Sequence, residues 1–535
     1  MMRLRNVGFA MQRDGSESEL PTRLIEAISW CSFALGVAAA VFYACFLRDF
    51  SFLSLVAVII AISIVIWAAG ERGPRSRFLL AIFFGAFGLR LLSTILFHNA
   101  GRITSGAFSE SPDAWNYDRW ANWSVDLWLH GDFPSLSAYY LTGSWDVGFY
   151  YILAGTYLMF GASALVGRVL VVLFGALAAL VFCVLARDLA GERAGTWAGI
   201  LYAFWPISIL WTGYSILRDS LVWFLMLLSI LLVLRVIVGA RLAAVSLLAT
   251  LVVLRFVRPY AAFLIVLGLS IAAVWWLFHF DQRFVRAALI LFAVVIAVEA
   301  VVVSVGNPVM PQMAKTYGVT AKQYVMKSLP WYPPPPEMAA APQSEARPMI
   351  GPQRNPVGMS SRMVKSDAVT PTPTAAHLTS PGLITNGIRF FLGPFAWAAD
   401  VPNAGNWQLP AMWFWYVIFP AAIAGLFLGL RERRALRVVL LTSLLFTAAL
   451  VVAGRGDSFR HREMIMPIFI LGFALSVDFL RRHWRAFLLL YSVYLIALAG
   501  LIVYHRHTLS QRGMIATLEQ PRPELLSWIE TLFPL

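Results

Sequence analysis

Cysteine is nearly missing: the chain has 3 in 535 residues. Cys31, Cys45 and Cys183 all lie inside apolar runs, where a thiol behaves as a small hydrophobe. No disulfide framework and no Cys-based metal site is therefore implied, and the thiols do not mark a redox compartment. Charge is equally scarce, at 13% of residues against 59% hydrophobic. A soluble protein could not keep so many uncharged 20-residue stretches in water. The ~10-residue alternating segments of a membrane β-barrel are also lacking. There is no Gly-rich turn between a strand and a helix of the kind that holds soluble nucleotides, no repeat of 20–50 residues, and no evident pairing between halves.

The chain instead carries a succession of apolar runs near twenty residues, enough to cross hydrocarbon at about 1.5 Å per residue. Spans are expected near 25–47, 51–70, 77–97, 163–186, 194–211, 219–238, 242–257, 260–280, 287–304, 409–430, 436–453, 464–480 and 485–503. This is an all-α polytopic membrane protein with about thirteen transmembrane helices. The first run follows a mildly basic leader and outlasts a signal-peptide core without a small-residue cleavage pattern, so it reads as a retained span. The organisation expected is a tail (1–22), a membrane core (23–304) with a first outward loop (98–162), a second outward loop (305–408), further spans (409–503) and an outward tail (504–535).

The formal net charge of +14 would point to nucleic acid in a soluble chain; here most of it sits in short loops, so no nucleic-acid partner is expected. The N-terminal tail, ERGPRSR (71–77), RDLAGER (187–193), DQRFVR (281–286), RERRALR (431–437) and RRHWR (481–485) fall on one side if the short apolar segment 148–161 does not cross. By the positive-inside rule that side is the cytoplasm, which places 148–161 as an interfacial or re-entrant helix. The loop 98–147 then faces outward. It holds Glu110, Asp113, Asp118, Asp126, Asp132 and Asp146 against Arg102 and Arg119, together with Trp115, Trp120, Trp123 and Trp128. That composition suits a helix in the headgroup layer, with Asp113, Tyr117 and Trp120 on one stripe and Trp115 and Arg119 on another. In the second outward loop, about 330–380 is rich in Pro, Ser, Thr and Ala without apolar period and is expected to be disordered.

Ionisable residues gather at the outward ends of the spans: Asp113 and its neighbours, Arg168, Arg218 and Asp219, Arg255 and Arg258, Glu299, Arg389, and the run holding Arg460, His461 and Arg462. Mid-span positions are nearly clean, and Arg48, Arg90 and Arg102 read as interfacial arginines that snorkel to headgroups. Asp113, after Ser111 and Pro112, also suits a helix N-cap, and the Arg460–Arg462 run also suits phospholipid headgroups. His505 and His507 read as solvating the membrane edge rather than as metal ligands. Carboxylates among Tyr and Trp suit binding and activating a hydroxyl or a sugar, while guanidinium clusters suit a phosphate. A lipid-linked sugar phosphate has both chemistries.

Asp113-x-x-x-Tyr117-x-x-x-Ala121, followed by WDVGFYYILAGTYLMFGASALVGRVL (145–170), resembles the GT-C superfamily of integral-membrane glycosyltransferases, in particular the bacterial family that includes the aminoarabinose and protein mannosyl transferases. Tyr150, Tyr151, Phe160, Gly161 and Arg168 match that family's interfacial helix and the span after it. LRDSL (217–221), FFLGPFAW (390–397) and RHREMIMP (460–467) are similar to later elements of related polysaccharide-assembly members. The resemblance implies a GT-C-like fold in a bacterial inner membrane, a cytoplasmic N-terminus and a periplasmic site. It also implies transfer of a sugar, with inversion, from a polyprenyl-phosphate donor to a lipid, polysaccharide or protein acceptor. Asp113 would be the general base, Tyr117 would hold it or stack on the sugar, Tyr150, Tyr151 and Arg168 would contact substrate, and Arg460, His461 and Arg462 would meet the phosphate with Arg255, Arg258 or Arg218. The family's second acidic position is Ala114 here, so Asp118 or Asp219 has to supply any second carboxylate. No cofactor is specified and no divalent cation is indicated. The competing classes are a transporter or flippase and a polysaccharide polymerase or ligase.

Overall fold

The computed structural model describes residues 19–69, 73–103, 112–132, 147–237, 239–259, 261–268, 409–432, 464–485, 487–489 and 491–497, with single positions at 290, 293, 294, 297, 443, 447 and 500. Every regular element among the described residues is helical. The principal helices are α1 (Glu19–Leu47), α2 (Ser51–Ala69), α3 (Pro74–Ile103), α4 (Pro112–Leu129), α5 (Val147–Phe160), α6 (Ala164–Ala190), α7 (Glu192–Ala203), α8 (Pro206–Tyr214), α9 (Asp219–Ile237), α10 (Arg241–Val257), α11 (Leu409–Glu432) and α12 (Met466–Arg482). Five of them, α1, α2, α3, α6 and α9, contain stretches long and apolar enough to cross a membrane. The remaining spans expected between 269 and 304, and at 436–453, fall largely outside the described residues.

Helix direction follows from side-chain partners. Ser29 and Gly36 of α1 lie against Gly85 and Gly88 of α3, where an added Cβ on Gly36 would overlap the Gly88 carbonyl. Tyr43 meets His98 with ring centroids 5.9 Å apart. The two helices therefore run parallel, held close by small residues, as membrane helices pack where apolar side chains gain nothing by leaving lipid. Helix α6 runs the other way against α3: Gly175 lies beside Arg90, and Arg187 sits 5.8 Å over the Phe78 ring. The C-terminus of α3 and the N-terminus of α6 consequently share one end of the bundle. Helices α4 and α5, which connect them, return the chain to the end it left.

Helix α5 lies across that end. An added Cβ at Gly148 would stand 2.9 Å from the Phe256 backbone of α10, and one at Gly161 would stand 3.6 Å from Ser51 of α2. Between these points, Leu153 and Tyr157 pack over Gly167 of α6. The opposite end is laced by ion pairs. Arg187 donates to Glu192 through two nitrogens, Arg75 lies 3.6 Å from the same carboxylate, and Arg235 meets Asp188 at 2.6 Å. Arg75 and Glu192 are about half exposed, whereas Arg187 and Asp188 are mostly shielded by their neighbours; together the pairs register α3, α6, α7 and α9.

Two expectations are corrected. The span expected at 194–211 is two helices, broken at Phe204 and Trp205. Pro206 opens α8; it lacks an N–H and drives the preceding residue out of helical geometry, and Trp205 is extended at φ −64°, ψ 116°. Arg90 does not snorkel. It is wholly buried in the middle of α3 and donates to the Ala203 carbonyl at 2.8 Å and to Ser208 Oγ at 2.9 Å. It therefore ties the end of α7 to the first turn of α8, and Gly175 leaves it room: a Cβ there would stand 2.9 Å from Arg90 Nε. The cation also complements the negative end of α7.

Asp49, in the turn between α1 and α2, fastens the α4–α5 end. Its carboxylate accepts from the Ser51 N–H at 3.0 Å, Ser51 Oγ at 2.5 Å and Ser163 Oγ at 3.1 Å. Burial alone would raise its pKa, but these bonds, with a contribution from His98, hold it below the ordinary aspartate value. A group whose pKa is lowered on folding stabilises the fold fully above its unfolded value, about 3.9, and loses that contribution as the pH falls through the folded value. Asp49→Asn is expected to lower the thermal midpoint at pH 7, with the difference from wild type closing below about pH 4; a gap that persists in acid would show that the carboxylate's charge is not what holds the turn.

Candidate functional site

The α4–α5 end is where the chemistry collects. Arg168 opens the second turn of α6, Arg218 lies just before α9, Arg255 in the last turn of α10, and Arg258 at its C-cap. All four are nearly inaccessible, at 4%, 7%, 3% and 6% exposure, and Asp219, the first residue of α9, is at 0%. Their surroundings differ in electrostatic sense. Arg255 and Arg258 sit at the negative end of a helix and Asp219 at the positive end of another, both favourable. Arg168 and Arg218 stand at positive helix ends, where a cation is disfavoured and an anion is drawn in. Trp211 of α8 donates to Asp219 Oδ2 at 3.4 Å.

Helices α4 and α5 cover these arginines. Helix α4 buries Ala114, Tyr117, Ala121 and Ser124, a stripe at helical spacing. Tyr117 meets Phe149 at 5.1 Å and Tyr150 at 5.4 Å between ring centroids, and the Arg218 guanidinium lies 5.5 Å from its ring centre. Tyr117 therefore joins the cover to the floor by an aromatic contact on one side and a cation–π contact on the other. Further along, Trp128 stacks on Tyr151 at 5.5 Å. Trp115 and Arg119 form the exposed stripe, with the guanidinium 5.2 Å from the indole centre.

The acidic residues divide by environment. Asp113 is exposed in the first turn of α4, where a carboxylate complements the helix dipole. Asp118 is half-buried and accepts a 2.5 Å hydrogen bond from the Tyr157 hydroxyl of α5. Asp219 lies under the cover. Of the residues anticipated for substrate, Tyr117, Tyr150, Tyr151, Arg168, Arg218 and Arg258 come together at this end, whereas Arg460, His461 and Arg462 lie outside the described residues. Tyr157 was not anticipated. The readable signal was its position seven residues after Tyr150, which puts both tyrosines on one face of the helix. Among the described residues no group of three His, Cys, Asp or Glu side chains could hold a metal ion.

This end thus gathers four buried guanidiniums and the buried Asp219 beside aromatic rings, with the exposed Asp113 and the half-buried Asp118 on α4. No family model, curated protein or solved structure matches the chain.

Proposed function

We propose that this protein is a membrane glycosyltransferase that moves a sugar, with inversion, from a polyprenyl-phosphate-linked donor to a lipid, polysaccharide or protein acceptor. The site is the α4–α5 end, placed on the periplasmic face of a bacterial inner membrane with the N-terminus in the cytoplasm. The observation that carries this reading is the set of buried arginines, Arg168, Arg218, Arg255 and Arg258, gathered under a helix rich in acid and aromatic residues. The motif resemblance over residues 113–170 supports it independently.

In this reading the acceptor hydroxyl oxygen attacks the anomeric carbon as Asp113 takes its proton, and the bond from that carbon to the donor phosphate oxygen breaks. The departing phosphate carries the electron pair and is met by the arginines, which stabilise charge developing in the transition state. Asp113 is suited to the base role because its exposure in the first turn of α4 lets an acceptor approach. Alignment contributes more than basicity, since a carboxylate is a weak base.

One observation favours the transporter class: the broken helix pair α7–α8 with a charged residue at its break, a construction that transporters use at substrate sites. Here, however, Arg90 fills the break and bonds to both halves. The deciding experiment uses purified protein in nanodiscs with a panel of polyprenyl-phosphate and polyprenyl-diphosphate sugars and a membrane extract as acceptor. Sugar transfer is expected. Transfer of preassembled oligosaccharide alone would move the reading to a polymerase or ligase; no transfer, with movement of the lipid-linked sugar across proteoliposomes, would establish the transporter.

A further inference from the structure

Tyr157 stands at a crossing of three helices. Its hydroxyl reaches from α5 to Asp118 of α4 at 2.5 Å, and on the way passes directly over Gly167 of α6, where an added Cβ would lie 2.7 Å from that oxygen. The same Cβ would lie 2.9 Å from Ile216 Cδ1 and 3.2 Å from Leu153 Cδ1, so the tyrosine tip is confined from several sides. Gly167 immediately precedes Arg168, and Asp118 immediately follows Tyr117, whose ring carries Arg218. One hydrogen bond therefore sits between the helix that bears Asp113 and the two arginines that stand at positive helix ends.

We infer that Tyr157 is a positioning residue: through Asp118 it clamps α4 onto the arginine floor, and Gly167 is the position whose missing side chain lets the clamp close. The inference rests on the proposed sugar transfer for its catalytic consequence, but the clamp itself is a property of the fold. A hydroxyl donating to a carboxylate is among the stronger neutral-to-charged hydrogen bonds, and one confined by packing fixes direction as well as distance. Its loss leaves the aromatic packing of α4 on α5 in place and frees α4 to rock about Tyr117. Asp113, one helical turn from Tyr117, then loses its registration with a phosphate held below. Misplacement of this kind lowers turnover without weakening the grip on the donor.

The test compares Tyr157→Phe, Gly167→Ala and Gly155→Ala in nanodiscs, by steady-state sugar transfer and by hydrogen exchange of the α4 amides. Gly155 shares α5 with Tyr157, and nothing lies within 4 Å of a Cβ added there, so it controls for a simple change in helix stiffness. Tyr157→Phe is expected to lower kcat about 10- to 100-fold with the donor KM within about twofold, and to speed exchange across 112–129. Gly167→Ala should do the same, because the methyl pushes the hydroxyl off Asp118, and should cost less in the Tyr157→Phe background than in wild type, as coupled neighbours do. Gly155→Ala should change neither readout. Unaltered kcat in Tyr157→Phe, or a fall in kcat with unaltered α4 exchange, overturns the inference. If wild type transfers no sugar, exchange still decides: faster exchange in Tyr157→Phe and Gly167→Ala alone supports the clamp with the transferase reading lost, and equal exchange in all three overturns it.

Discussion

Replacing Asp113 with asparagine is expected to lower sugar transfer by about 10²- to 10⁴-fold, the range spanned by the loss of a positioned general base. Asparagine keeps the size and the hydrogen-bonding capacity of the side chain and removes only its ability to take a proton. The stability cost should be small. Asp113 is exposed in the first turn of α4, and losing a carboxylate's interaction with a helix N-terminus costs about 0.3–1 kcal/mol. Donor binding should also survive, because the buried arginines lie on α6, on α10 and ahead of α9. The signature is therefore a fall in kcat with the donor KM and the thermal midpoint nearly unchanged. An active Asp113→Asn protein would shift the base to Asp118 or Asp219, and the corresponding asparagine variants separate those two: Asp118→Asn also disturbs the Tyr157 hydrogen bond, whereas Asp219→Asn alters a wholly buried group and should show first in stability.

Arg90→Ala should be the most destabilising single substitution in the described core. The guanidinium is fully buried; it donates to the Ala86 carbonyl of its own helix and to two acceptors beyond it, the Ala203 carbonyl and the Ser208 hydroxyl. Its removal leaves a carbonyl at the end of α7 without its donor in a water-poor interior, at about 1–3 kcal/mol for each buried group left unsatisfied, and opens a void where α3, α6 and α8 meet. A loss of about 3–5 kcal/mol is expected, measured as an earlier unfolding transition in a sodium dodecyl sulfate titration. Arg90→Lys should recover only part of it, because an ammonium cannot span both acceptors as the guanidinium fork does. Arg48→Ala supplies the contrast. Arg48 is exposed and sits in the left-handed region at φ 57°, and its substitution should fall within about 0.5 kcal/mol of wild type. Equal losses for Arg90→Ala and Arg48→Ala would return both residues to simple headgroup contact.

These two arginines show how far the sequence reached. Both are single cations among apolar residues, and pattern alone assigns them the same snorkelling role. The acceptors that separate them are distant in the chain: Ala203 and Ser208 lie 113 and 118 residues from Arg90. Tyr157 poses the same difficulty on a smaller scale. Within Val147–Phe160 it reads as one more ring on a greasy interfacial helix, and only the placement of α4, 39 residues away, gives its hydroxyl a partner.

What the sequence determined by itself was local in origin. The positions of the long apolar helices follow from hydropathy over about 20 residues, because a helix that satisfies its own backbone is what lipid permits. The gathering of Arg168, Arg218, Arg255 and Arg258 near helix ends was legible for the same reason, since charge is driven out of mid-span. Tertiary structure alone decided the rest: the break between α7 and α8 sealed by Arg90, the path of α5 across the helix ends, and the closure of Tyr157 on Asp118 over Gly167. Each depends on side chains from separate helices meeting at hydrogen-bond distance, and no periodicity within one helix encodes which neighbour will stand opposite.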